Sequence, residues 1–166
     1  KEQLENSKAL EPMLRGNKSP GTFMVDNHID SVAIQAEARL SFRHDADGNV
    51  KLAIHGIQQE PKLDRPFFGV NFTDEDKKNL LETGNLGRIA ETKNFKTGEL
   101  TPSFISVDPI TKELVYMKTT AFNPPDSIKG VPLTPADKAV LISGLPLELK
   151  GMTSAKGKPF DATVQV

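Results

Sequence analysis

The string Gly84-Asn85-Leu86-Gly87-Arg88 puts two glycines, a side-chain amide and a guanidinium within five residues. Glycine lets a backbone turn sharply. Asn85 suits a short-range hydrogen bond, and Arg88 suits a grip on a carboxylate or phosphate beside the amides of the turn. The same string also reads as a helix stop followed by a tight strand entry, the commoner use of such residues. Asn85, Gly87 and Arg88 are therefore candidate partner or phosphate contacts seated on a structural turn. A second candidate set is basic. Lys150, Lys156 and Lys158, with Lys93 and Lys96, fall on or near two hairpin patterns. If the two hairpin tips share an edge, they form a modest patch for phosphate. Solvated turn charges are the plainer reading.

Other constellations are closer to geometry than to chemistry. Asp45-Ala46-Asp47-Gly48-Asn49 starts like a calcium loop, but its glycine comes too early and Gly56 stands where the bidentate glutamate belongs. Asp-Gly between two alternating runs is a hairpin signal instead. Gly151-Met152-Thr153-Ser154-Ala155-Lys156-Gly157-Lys158 hints at a phosphate loop. Met152 and Pro159 occupy its glycine and hydroxyl positions, and a strand pattern follows where a helix should open. His28, His44 and His55 read as a loop residue, a turn residue and a residue on the polar face of a strand. No Ser or Asp spacing marks a triad around them, no carboxylate pair stands out as an acid–base couple, and Tyr116 reads as packing. There is no cysteine, hence no disulfide, thiolate site or thiol nucleophile. The reading assigns no catalytic residue, no metal ligand and no cofactor. Net charge is 21 − 22 = −1, which argues against coating nucleic acid by bulk electrostatics. Aromatics for base stacking look few.

The elements that must position these residues are clearer. Residues 1–21 read as a helical tether and loop, broken into two pieces by Pro12, for which a connector to an upstream domain is the sharper reading. The chain begins at Lys1, which suggests a fragment or a processed product, and its last residues still read as strand. Residues 22–71 hold a hairpin and its connector. Val32, Ile34, Ala36, Ala38, Leu40 and Phe42 alternate with more polar neighbours, turn at Asp47-Gly48, and return as Val50, Leu52 and Ile54. That is period two and a half-buried strand pair.

Residues 72–166 carry an internal duplication, with copies at 72–117 and 133–166. Phe72-Thr73 and Leu133-Thr134 each lead into Asp-Lys-x-x-Leu, and each run ends at a glycine, Gly84 or Gly144. Thr73 and Thr134 are expected helix N-caps, with Pro135 at a first helical position and Asp74, Glu75 and Asp76 at the positive end of the helix dipole. Each helix precedes a hairpin. Alternation continues to the end through Phe160, Ala162, Val164 and Val166. Residues 118–131 read as a linker.

The string from Phe67-Phe68-Gly69 through Phe72–Arg88 resembles the core of a bacterial domain of unknown function. So do Thr101–Asp108, Ile128–Val131 and Gly151–Phe160, and Arg15–Pro20 resembles that family's lead-in. The resemblance runs from about residue 10 onward. Such domains occur, often repeated, in large multidomain proteins of conjugative elements and phages of gut anaerobes, some beside topoisomerase-like or antirestriction-type domains. The resemblance implies a cytoplasmic accessory module of a mobile-element protein and transfers no catalytic residue.

The expectation is therefore an α+β fold: a long N-terminal β-hairpin, then two helix–β-hairpin repeat units sharing antiparallel sheet. The expected function is a non-enzymatic binding module contacting DNA or a DNA-associated protein. An architectural or oligomerising repeat is the alternative, and an enzyme with a site hidden from sequence the weakest one. Expected partners are protein or nucleic acid, with no membrane and no small-molecule substrate.

Overall fold

The computed structural model describes residues 2–29 and 32–166. The fold is α+β; among the described residues there are ten strands in small antiparallel sheets and four short α-helices. The chain divides into two compact units. The first comprises Lys1–Glu60 with Pro109–Glu113, the second Pro61–Asp108 with Leu114–Val166.

In the first unit, α1 (Glu2–Asn6) and α2 (Leu10–Leu14) precede β1 (Phe23–Ile29), β2 (Val32–His44) and β3 (Val50–Gly56). The helical tether does come in two pieces, but Pro12 is not the breaker. Pro12 sits inside the first turn of α2, where a missing N–H costs nothing. The break falls earlier, with Lys8 in the left-handed region at φ 56°. β2 and β3 form the expected hairpin, Leu40 opposite Ile54 and Phe42 opposite Leu52. β1 adds a third strand on the other edge of β2, with Phe23 opposite Ala38, so His28 lies in a strand and not in a loop. Ala9, the residue before α2, and Met13 of α2 pack on Leu40, beside Phe23, Val25 and Phe42. The helix is too short to reach β3, so Val50, Leu52 and Ile54 stay at least half exposed. Side-chain positions of Val32 and Ile34, expected on the same apolar face, fall outside the described residues.

In the second unit, α3 (Asp74–Glu82) leads to β4 (Ala90–Lys93), β5 (Leu100–Val107) and β6 (Leu114–Lys118). Leu80, Leu86, Ala90 and Ile105 form its first core, closed by Val70. The expected linker contains a 3-10 turn at Thr119–Ala121 and a small ladder, β7 (Ser127–Ile128) with β8 (Val131–Pro132). α4 (Pro135–Ile142) then leads to β9 (Leu147–Thr153) and β10 (Pro159–Val164). Leu133, Leu141, Leu147, Leu149 and Met152 make a second core.

Both helices carry a full capping box. The hydroxyl of Thr73 accepts from the Asp76 amide and the Asp76 carboxylate accepts from Thr73, and Thr134 and Asp137 repeat the pattern. The two units of this half do not share one sheet, contrary to expectation: β4-β5-β6 and β9-β10 are separate ladders. Alternation in β10 is also interrupted. A bulge between Phe160 and Ala162 lets the Asp161 carboxylate accept from the Gly151 amide, and it leaves Phe160 partly exposed. Among the described residues, no helix is long and apolar enough to cross a membrane.

Candidate functional site

Arg88 is held within the chain. Its Nε and one terminal nitrogen donate to the two carboxylate oxygens of Asp76, at 2.8 and 2.7 Å. Asp76 is buried and also closes the capping box of α3. The Arg88 guanidinium therefore ties the strand entry back to the helix start. It holds the Asp76 carboxyl below the ordinary carboxylate range, against a smaller opposing effect of burial. Asn85 is engaged as well: Oδ1 accepts from the Gly87 amide at 2.9 Å, and Nδ2 donates to the Val166 carbonyl. The amide of Asn85 bonds Thr83 Oγ1 and that of Leu86 bonds the Ile105 carbonyl. The structural use of this string accounts for all three of its candidate residues.

Lys150, Lys156 and Lys158 all belong to the β9–β10 hairpin and are exposed. Lys156 and Lys158 share its turn, where Ser154 accepts from the Lys158 amide through Oγ and donates to its carbonyl through N–H. Lys150 lies on the strand, by the turn spacing roughly 10 Å away. It lines a shallow depression with Glu148, Asp161 and Thr163, so acidic groups share its surroundings. The structure thus brings Lys156 and Lys158 together and sets Lys150 apart from them.

Sequence reasoning missed an aromatic surface. Phe67 and Val70 exchange both backbone hydrogen bonds around a two-residue turn. Phe68 and Gly69 at its centre both have positive φ, 47° and 82°. Such turns favour Asn-Gly, and phenylalanine there is strained. The Phe68 carbonyl accepts from the Lys93 amide at 2.7 Å, which pins the turn to β4. Its ring lies 4.7 Å from that of Tyr116 and 6.2 Å, nearly parallel, from that of Phe95. Phe68, Tyr116 and Phe95 are 36, 41 and 72% exposed. From sequence, Phe67-Phe68-Gly69 reads as buried aromatic anchors ending a connector; only Phe67 packs on the core, and Phe68 is exposed. The juxtaposition of Phe68 with residues 27 and 48 positions downstream is not visible in the sequence.

A second missed cluster is buried in the first unit. Ser41 Oγ lies 2.8 Å from His55 Nε2, and His55 Nδ1 lies 2.8 Å from Glu113 Oε2. Lys18 Nζ donates to the same Glu113 oxygen at 2.5 Å. His55 was expected on the polar face of a strand. It is 4% exposed, because residues 18 and 109–113 complete this unit over that face. Serine, histidine and carboxylate are in line as in a hydrolase triad. Ser41, however, sits mid-strand opposite Ala53 and is 5% exposed, which leaves an acyl carbonyl no approach to Oγ. Lys18 already neutralises the carboxylate.

Two stretches of the chain match known family models. Residues 1–66 match a family described as a protein of unknown function (DUF4099), and residues 125–166 match another so described (DUF3945). Of the strings that carry the resemblance, Arg15–Pro20 falls in the first match and Ile128–Val131 and Gly151–Phe160 in the second, while Phe67–Arg88 and Thr101–Asp108 fall in neither. The first stretch runs six residues past Glu60, where the first unit breaks off. The second holds β7, β8, α4, β9 and β10. No curated protein and no solved structure matches the chain.

Proposed function

We propose that this chain is a non-enzymatic accessory module of a larger bacterial mobile-element protein, working in the cytoplasm to hold its host on nucleic acid. The observation that carries the reading is the set of unpaired cations in the second unit. Among the described residues, Lys93, Lys96, Lys156 and Lys158 have no side-chain hydrogen bond or ion pair. Arg15, Lys18, Lys51, Arg88 and Lys138 are all paired with carboxylates. A lysine held by no carboxylate keeps its charge available to a phosphate. The burial of Ser41 supports the non-enzymatic part of the reading. The resemblance of the sequence to mobile-element domains supports the setting.

The test is fluorescence anisotropy with labelled single-stranded and duplex DNA, at about 50 and about 200 mM salt. Binding is expected at the lower salt and should fall steeply at the higher. Replacing Lys156 and Lys158 by glutamate should reduce the salt slope by about two, one per phosphate contact. No binding to either DNA at the lower salt would overturn the proposal.

A further inference from the structure

We infer that Phe68, Phe95 and Tyr116, with Lys96 next to Phe95 and Lys118 on the sheet face of Tyr116, form a stacking platform for the bases of single-stranded nucleic acid. The inference rests on the nucleic-acid reading above and names the form of the ligand.

A single exposed aromatic residue is ordinary on a protein surface. Here three rings gather outside the hydrophobic core of their unit, which takes Phe67 but none of the three. The central ring is held there at a cost, since Phe68 occupies a left-handed backbone conformation that disfavours any residue with a Cβ. The turn is also tightly set: a methyl group at Gly69 would lie 3.2 Å from Cβ of Lys93. The platform is thus prearranged rather than assembled on contact. One side of the Phe95 ring faces Phe68, and its 72% exposure leaves the rest open.

Lysines lie near it along the chain. Lys93 and Lys96 flank Phe95 in sequence by two and one positions, and Lys118 follows Tyr116 by two on β6, hence on the same face of the sheet. None of the three has a side-chain partner among the described residues. Glu91 and Glu99 belong to the same hairpin, so the phosphate contribution stays modest and the rings carry much of the affinity. Open aromatic faces with lysines near them along the chain fit unstacked bases on a phosphodiester backbone. Bases inside a duplex present only their edges, which favours the single strand over the double one.

The readout is built in. The chain has one tyrosine and no tryptophan, so its intrinsic fluorescence reports on Tyr116 alone. The probes are an oligothymidylate of about 16 nucleotides and an abasic deoxyribose-phosphate strand of equal length. Oligothymidylate should quench Tyr116 emission. Phe95→Ala should weaken its binding about tenfold with an unchanged salt slope, and the abasic strand should bind the parent protein as poorly. Phe95→Leu, which keeps apolar bulk without a π-face, should lose as much, and circular dichroism should show both variants folded. Equal binding of the two strands, unaffected by Phe95→Ala, would overturn the platform and leave the phosphate reading standing. Failure of every DNA to bind, with Phe95-dependent quenching by a proline-rich peptide, would overturn both and assign the surface to polyproline recognition.

Discussion

Glu113 Oε2 accepts from Lys18 Nζ at 2.5 Å, His55 Nδ1 at 2.8 Å and Thr111 Oγ1 at 3.4 Å. With the carboxylate ionised, His55 donates to it from Nδ1, and in the neutral ring this leaves Nε2 to accept from the Ser41 hydroxyl. One carboxylate thereby links a buried chain of residues from Lys18 to Ser41. Burial pushes the Glu113 carboxyl up more than any other single influence, but Lys18 and then His55 together bring it below its ordinary value of 4.5. A carboxyl lowered in the folded state contributes stability above its unfolded value, and this is lost as pH falls through the folded one. Glu113→Gln should therefore cost about 1.5–3 kcal/mol at pH 7, the range for losing hydrogen bonds to a charged group. The difference should shrink well below pH 4.5, where the parent carboxyl is neutral too. Urea titrations of both proteins at neutral and acid pH check this. A constant gap at the two pH values would mean that packing and not charge holds Glu113.

α3 and α4 show what local sequence can and cannot disclose. Their caps were readable because a capping box spans four consecutive residues, and each member of Thr73–Asp76 and Thr134–Asp137 has one plausible partner. The β2–β3 turn was readable for the same reason, with Asp45 accepting from the amides of Asp47 and Asn49. What escaped was whatever depends on distant residues. Arg88 looked free because Asp76, twelve positions back, reads from sequence only as one of three acidic charges at the helix dipole. His55 looked like an ordinary polar-face residue because its partner lies 58 positions on. The helix ends follow the same rule. Gly84 and Gly144 read alike and both adopt positive φ, 77° and 75°, but their surroundings differ. A methyl group at Gly84 would meet only the Val107 carbonyl, at 3.9 Å, whereas at Gly144 it would lie 3.1 Å from Ile89 Cγ1 and 3.4 Å from Phe104 Cε1. Gly84→Ala should cost about 1 kcal/mol for the backbone conformation. Gly144→Ala should cost that plus about 1–3 kcal/mol of overpacking. Equal shifts of the urea midpoint in the two variants would show that Ile89 and Phe104 yield freely.

At the scale of the whole molecule, the path of the chain sets a condition that neither family match contains. The matched stretch 1–66 covers all but five residues of the first unit, but those five, Pro109–Glu113, supply its polar centre. The Thr111 carbonyl accepts from the Gln58 amide at 3.0 Å, Thr111 Oγ1 accepts from Lys18 at 3.2 Å, and Glu113 completes the line to Ser41. Without them, a fragment of residues 1–60 keeps its three-stranded sheet and the α2 contact but leaves His55 and Lys18 without their carboxylate. Unmet buried polar groups cost about 1–3 kcal/mol each, a large share of what a unit of this size can hold. Residues 61–166 keep both of their hydrophobic clusters. The 61–166 fragment should therefore unfold cooperatively on heating. The 1–60 fragment should melt early and broadly, and joining residues 109–113 to it through a Gly-Ser linker should restore a sharp transition. Calorimetry of the three fragments tests this. A sharp, high transition in residues 1–60 alone would show that the N-terminal unit is self-sufficient and that the Glu113 cluster adds little to its stability.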